Sequence, residues 1–270
     1  MKITFIGGGN MAKALIGGLI KRGYSPSKMH VVEVFKDKCA ELHNEFGVRA
    51  TTELAAAVAH GEAVILAVKP QQLQEVALQL APIIDGQLVI SIAAGIRTQD
   101  MARWLGTQNI VRCMPNTPAL IRCGVTALYA MPAVKPDQCN RAESILASVG
   151  STLWIEEEEM LDAVTAISGS GPAYVFYFIE AMQQAAYELG MDEAQARQIV
   201  LDTFLGASKL ADSSQEDVAK LRERVTSKKG TTESALLSMD ANKVKMNIVA
   251  AIHAAAARSK EMGDELGKDA

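Results

Sequence analysis

A chain of 270 residues, 49% hydrophobic and 5% aromatic, is long enough for one large domain or two of ordinary size. Its formal net charge of −4 leaves no electrostatic footprint for nucleic acid or an anionic membrane surface. No apolar run reaches the roughly 18 residues that span a bilayer, and Met1 leads straight into a strand pattern with no room for a signal peptide. Cys39, Cys113, Cys123 and Cys139 have neither CxxC nor zinc-site spacing, so a cytoplasmic protein with reduced thiols and no metal is expected.

In chain order, Ile3-Thr4-Phe5-Ile6 runs directly into Gly7-Gly8-Gly9-Asn10-Met11-Ala12. Helical spacing follows at Met11, Leu15, Leu19 and Ile20 and stops at Gly23. Further strands are predicted at 29–34, 48–50, 63–68 and 88–92, with helices at 36–46, 52–59 and 71–80 between them. The strands at 63–68 and 88–92 are continuously apolar, as in a parallel sheet covered on both faces. This alternation is the signature of a doubly wound α/β sheet. Strands at 110–113, 125–129 and 152–155 and a helix at 136–149 complete this half. From Glu156 onward strand patterns vanish, and long helices are predicted at 162–189, 193–211 and 243–266. The predicted division is a sheet domain, 1–160, and an all-helical domain, 161–270.

Ligands of a doubly wound sheet bind outside the carboxyl ends of its strands. Three segments of the sheet domain end there: Ile6-Gly7-Gly8-Gly9-Asn10-Met11, Ala67-Val68-Lys69-Pro70 and Ala94-Gly95. Gly7 permits the tight turn, Gly9 lets the backbone approach a pyrophosphate, and Ala12 lets the helix pack on the strand. Unpaired N–H groups at the helix start then face the phosphates. Pro and Gly also simply terminate strands, but three coinciding segments favour a dinucleotide cofactor. Glu33 closes the second strand, where an acidic residue receives the ribose hydroxyls of NAD and repels the 2′-phosphate of NADP; a solvated surface glutamate is the alternative. Lys36 and Lys38 stand close by, so the nucleotide stays open, tilted towards NADH.

The helical half carries two polar interruptions. Ser168-Gly169-Ser170-Gly171-Pro172 sits inside an apolar helix pattern, where Gly costs about 1 and Pro about 3 kcal/mol against Ala. Either a helix starts at Pro172 or the small residues admit another backbone. Thr226-Ser227-Lys228-Lys229-Gly230-Thr231-Thr232 is a polar loop entering a helix, fit to receive a small carboxylate on helix N–H groups; a helix cap by Thr231 or Thr232 is the equal alternative. His30, His43, His60 and His253 lack matching partners and read as surface groups, so an enzyme of this sequence would rely on positioning and cofactor chemistry. The first long helix is apolar on several faces, through Val164, Ile167, Tyr174, Val175, Phe176, Phe178, Ile179 and Met182. Such a helix is buried in a domain or a subunit interface, and a homodimer with intertwined helices is expected.

Taken in order, Phe5 to Ala12, Ala67 to Gln71, Ser91 to Gly95, Arg112 to Pro118, Ile167 to Tyr174, and Thr226-Ser227 with Gly230-Thr231-Thr232 resemble pyrroline-5-carboxylate reductase across nearly the whole chain. The first two motifs are shared with other Rossmann reductases, whereas the last three are far more specific. The resemblance implies an N-terminal Rossmann-type domain and a helical substrate-binding and dimerisation domain. It implies reduction of 1-pyrroline-5-carboxylate to L-proline with NAD(P)H, the last step of proline synthesis. It also implies substrate binding by Ser227, Gly230, Thr231 and Thr232, with the Thr232 hydroxyl as the catalytic contact to the ring nitrogen. Family members form dimers with active sites shared between subunits, and often decamers of five dimers.

Two departures from the family pattern stand out. Lys228-Lys229 replaces the usual Pro-Gly pair, so Lys229 must adopt a glycine-like backbone or the loop differs. Glu33 replaces the Ser, Asn or Arg that holds a 2′-phosphate in other members. Two other functions compete with the reductase. A non-catalytic dinucleotide-binding regulator need not keep Thr231-Thr232, and a hydroxy-acid enzyme needs a lysine general acid, for which no convincing candidate is found.

Overall fold

The computed structural model describes residues 1–59 and 61–268. Its first half follows the apolar runs in order: β1 (Ile3–Ile6), α1 (Asn10–Lys21), β2 (Met29–Val32), α2 (Lys36–Phe46), β3 (Arg49–Thr51), α3 (Leu54–Val58) and β4 (Ala63–Leu66). There follow α4 (Pro70–Leu80), β5 (Leu88–Ser91), α5 (Thr98–Leu105), β6 (Ile110–Met114), β7 (Gly124–Ala130), α6 (Pro136–Leu146) and β8 (Gly150–Trp154). Among the described residues the strands form an eight-stranded sheet in the order β3-β2-β1-β4-β5-β6-β7-β8. β1 to β6 pair in parallel, β7 runs antiparallel to β6, and β8 runs parallel to β7. The strand order reverses between β1 and β4, which is the switch point where a crevice opens at the carboxyl edge. Register places Ile6 beside Leu66 and Leu66 beside Ser91, so the three glycine- and proline-bearing segments leave the sheet level with one another.

Side chains alternate faces along a strand, and two buried clusters result. Ile3, Phe5, Ile65 and Ile90 join α1 and α2 residues such as Leu15, Ile16 and Leu42 on one face. Ile6, Leu66 and Val89 join Leu73, Leu80, Met101 and Trp104 on the other. The continuous apolar runs are thus explained by helices on both sides.

Three features differ from the sequence expectation. α5 was not anticipated, because its apolar set Met101, Trp104 and Leu105 is embedded among Gln99, Asp100 and Arg103 in only eight residues. The helix expected from residue 52 starts at Leu54 instead; Glu53 is its cap position, and Thr51 Oγ1 accepts the Glu53 N–H at 3.0 Å. The long helix expected from Asp162 is broken into α7 (Met160–Val164), a π-helical turn (Thr165–Gly169) and α8 (Gly171–Glu188). Hydroxyls drive the break: Thr165 Oγ1 donates to the Leu161 carbonyl and Ser168 Oγ to the Val164 carbonyl, while Ser170 N–H reaches back to Thr165. The first reading of the glycines holds here, and what approaches Gly169 is a side chain and not another backbone. Pro172 sits in the first turn of α8, and the Met114 methyl lies only 2.5 Å from where a Cβ on Gly169 would stand.

The chain divides into two compact units, Met1–Ser170 joined by the chain from Ala255 onward, and Gly171–Ala254. The second unit holds α8, α9 (Glu193–Asp212), α10 (Val218–Arg224), α11 (Thr231–Ala241) and the start of α12 (Val244–Leu266). α10 also escaped the sequence reading, and α9 opens on an Asp192–Gln195 capping box. Ala186, Ala196 and Val200 are the buried hydrophobic residues of this unit, while Phe176, Tyr177, Leu237 and Met246 are each about two-thirds exposed or more (65%, 71%, 65% and 66%). Among the described residues no helix is long and apolar enough to cross a membrane.

Candidate active site

The turn after β1 is built around atoms that exclude a side chain. Gly7 has φ +100, and a Cβ there would stand 2.7 Å from the Ala67 carbonyl oxygen. Its N–H donates to Val32 O at 2.9 Å, which ties the turn to β2 as well. Gly8 is closed for another reason: a Cβ would meet Leu42 Cδ1 at 2.5 Å. Gly9 is the N-cap of α1 with no capping side chain, and nothing lies within 4 Å of its absent Cβ. The opening N–H groups of α1 lack helical partners, so an open glycine cap with no side chain over it is a cradle fitted to a pyrophosphate. The chain therefore fits the dinucleotide its motif calls for.

Glu33 is not a free surface carboxylate. Oε2 accepts the Gly8 N–H at 3.0 Å and Oε1 accepts the Val34 N–H at 2.9 Å. It bridges the glycine turn to the end of β2. Lys36 opens α2, and Lys38 Nζ stacks 5.2 Å over the exposed Phe35 ring.

The other two segments lie on the same edge. Ala67 and Val68 are half-buried, and exposed Lys69 is the N-cap of α4 with Pro70 at its first position. Ala94 is half-buried and Gly95 buried, with φ +81 at Gly95. The structure thus brings together Ile6 to Met11, Glu33, Ala67 to Pro70, and Ala94-Gly95 within the sheet unit.

Two organising side chains had no assigned role in the sequence. Arg112, 5% exposed in apolar β6, donates to Glu158 Oε1 at 2.8 Å. Glu158 also accepts the Thr98 N–H at 2.7 Å and its hydroxyl at 2.6 Å, and so caps α5 from 60 residues away. The signal was present: an arginine in a buried strand demands a carboxylate. Asn116 links two elements, donating to the Ser168 carbonyl at 3.2 Å and accepting the Val125 N–H at 2.9 Å.

The loop before α11 belongs to the helical unit. Lys229 takes φ +60, so it does adopt the left-handed backbone expected of a glycine. Its N–H donates to Glu233 Oε2 at 2.6 Å, and Gly230 N–H to the Ser227 carbonyl at 3.0 Å. A Cβ on Gly230 would press on Ser227 Oγ and stand 3.0 Å from the Ser227 carbonyl oxygen, so a larger residue there displaces the serine side chain. Gly230 is the N-cap of α11 and carries no capping side chain, which rules out the Thr cap: Thr231 and Thr232 occupy the first two helical positions. A second open helix N-terminus results.

His43 Nδ1 lies 2.9 Å from the Val48 carbonyl, His253 is exposed, His30 is partly buried, and His60 lies outside the described residues. The four cysteines are unpaired, and burial pushes the Cys113 thiol well above its ordinary range.

Comparison with known proteins identifies the family. The family model described as pyrroline-5-carboxylate reductase dimerisation matches residues 158–262, and the one described as NADP oxidoreductase coenzyme F420-dependent matches residues 2–95. A pyrroline-5-carboxylate reductase of Pseudomonas aeruginosa is 44% identical over 269 residues, 99% of this chain and 98% of the relative. The structure of one from Coxiella burnetii matches with a TM-score of 0.91 at 40% identity, covering 97% of this chain and 98% of that one. A Plasmodium falciparum pyrroline carboxylate reductase, solved with NADP bound, matches with a TM-score of 0.88 at 28% identity and the same coverage. Its glycine turn, its helical half and its identity to these relatives along almost the entire length lead to one conclusion: the chain belongs to the pyrroline-5-carboxylate reductase family.

Proposed function

We propose that the protein reduces 1-pyrroline-5-carboxylate to L-proline with NAD(P)H, the final step of proline biosynthesis. The observation that carries the reading is the pair of helix N-termini capped by glycine without a side chain, Gly9 before α1 and Gly230 before α11. One suits a pyrophosphate, the other the carboxylate of a small substrate.

In this reading Ile6 to Met11 hold the pyrophosphate, Glu33 the adenosine ribose, and Ala67 to Pro70 with Ala94-Gly95 the remainder of the dinucleotide. When bound, the dinucleotide supplies a hydride to C5 of the cyclic imine. The backbone of Gly230 to Thr232 binds the substrate carboxylate through the N–H groups of Thr231 and Thr232, while the Gly230 N–H holds the turn closed on the Ser227 carbonyl. The Thr232 hydroxyl hydrogen-bonds the ring nitrogen and holds the proton that makes C5 electrophilic. The imine enters protonated and its nitrogen keeps that proton as the C=N bond becomes a C–N single bond, so no side-chain acid is required. Lys228 and Lys229 add positive charge beside the carboxylate site.

The exposed apolar surface of the helical unit supports a homodimer built through it, since 84 residues with three buried hydrophobic side chains do not form a core alone. We extend this to a decamer of five dimers, to a functional division at 160/161, and to a cytoplasmic location, where free thiols persist.

Initial rates with NADH and NADPH side by side test the reading. Wild-type protein turns over the imine, and Glu33→Ser shifts the ratio of kcat/KM values towards NADPH by about tenfold, about 1.4 kcal/mol. Folded protein that oxidises neither dinucleotide overturns the reductase; an unchanged ratio in Glu33→Ser removes the ribose role alone.

A further inference from the structure

Gly263 sits in the interior of α12, where glycine is unfavourable by about 1 kcal/mol against alanine. Its surroundings explain it. A Cβ there would stand 3.0 Å from the Gly95 carbonyl oxygen and 3.3 and 3.4 Å from Arg97 Nη2 and Nε. The helix therefore lies directly on the backbone of the segment that leaves β5. The contact is reinforced on both sides of Gly263. Arg97 Nη2 donates to Asp264 Oδ1 at 2.6 Å, and buried Ser259 donates from Oγ to Asp162 Oδ1 at 2.6 Å. Met262 and Leu266 pack over the space beside Gly95, and Arg103 Nη2 reaches the Gly267 carbonyl at 2.8 Å. The partner carboxylates of Arg97 hold its guanidinium above even its ordinary range.

We propose that the last turns of α12 are a positioning clamp for the cofactor loop: Gly263 and the Arg97–Asp264 pair fix Gly95 in its left-handed conformation and thereby set dinucleotide affinity. This rests on the assignment of Ala94-Gly95 to the dinucleotide. From the other side, Glu158 fixes the same segment one residue past Arg97, through Thr98. The segment is thus held at both ends of a four-residue stretch, 95–98, and the α12 end is the one that a single methyl group perturbs.

Helix propensity alone makes Gly263→Ala neutral or stabilising, and loss of an exposed ion pair changes stability little. A clamp gives a different pattern. Dinucleotide dissociation constants, read by fluorescence titration without substrate, rise by about five-fold (about 1 kcal/mol) in Gly263→Ala, Arg97→Ala and Asp264→Ala, while melting temperatures stay near the wild type. Dissociation constants within about two-fold of wild type in folded Gly263→Ala and Asp264→Ala overturn the clamp. So does a rise confined to Arg97→Ala, which would place Arg97 against the dinucleotide itself. The titration is independent of turnover. Wild-type protein that binds dinucleotide but leaves the imine unreduced contradicts the proposed reaction and leaves the clamp standing.

Discussion

Gly7→Ala loses dinucleotide binding by at least about a hundred-fold and lowers the melting temperature as well. The methyl group would stand 2.7 Å from the Ala67 carbonyl oxygen, 3.0 Å from its carbon and 3.2 Å from Val68 N, all backbone atoms of the neighbouring strand end. None of these can turn aside as a flexible side chain can. The φ of +100 adds backbone strain of about 1–3 kcal/mol for any residue with a Cβ. Relief requires the turn to move away from β4, and a displacement of about 1 Å at a positioning site is enough for a hundred-fold loss. Gly9→Ala separates the two effects. Its φ is −70 and its Cβ site is open, so the variant folds with an unchanged melting temperature. Binding still weakens, because the methyl group occupies the approach to the pyrophosphate. Titration calorimetry beside a thermal melt checks both. Equal binding in Gly9→Ala and wild type would show that the cradle is not where the pyrophosphate docks.

Thr232→Ala lowers kcat by about a hundred-fold, the magnitude of one hydrogen bond lost at a reacting atom. The dinucleotide dissociation constant stays within error of wild type. The prediction is clean because Thr232 is the second residue of α11 and Gly230 is the cap. A capping threonine would lose about 1 kcal/mol of stability on truncation, whereas here alanine replaces it in a helical position that alanine favours. Steady-state kinetics, a dinucleotide titration and a melt on the same preparation separate the possibilities. A large loss of dinucleotide affinity with kcat preserved would assign the loop to the cofactor.

What the sequence discloses and what it hides follow from range. The strand, glycine turn and helix of Ile3 to Lys21 are local, and each residue states its own requirement: aliphatic where two faces are covered, glycine where φ is positive. Glu33 was legible only by its place after the second strand; its bonds to the Gly8 and Val34 N–H groups were not. Lys229 was legible as a problem, and the structure resolves it with a left-handed backbone at that residue. The Arg112–Glu158–Thr98 network and the Gly263–Gly95 contact were hidden because their partners lie 46 to 168 residues apart, and a lone arginine or glycine does not name its partner. The π-helical turn was hidden for another reason. Its hydroxyl bonds are local, but the Asn116 amide on the Ser168 carbonyl and the Met114 methyl against Gly169 come from a distant segment.

The central claim is a hydride delivered from the dinucleotide to C5 of a cyclic imine. It is tested most directly with NADPH deuterated at both C4 positions and unlabelled 1-pyrroline-5-carboxylate, followed by mass spectrometry and NMR of the product. The expected product is L-proline carrying one deuterium, located at C5. Unlabelled proline, deuterium at another carbon, or no product from folded protein that binds the dinucleotide would contradict it.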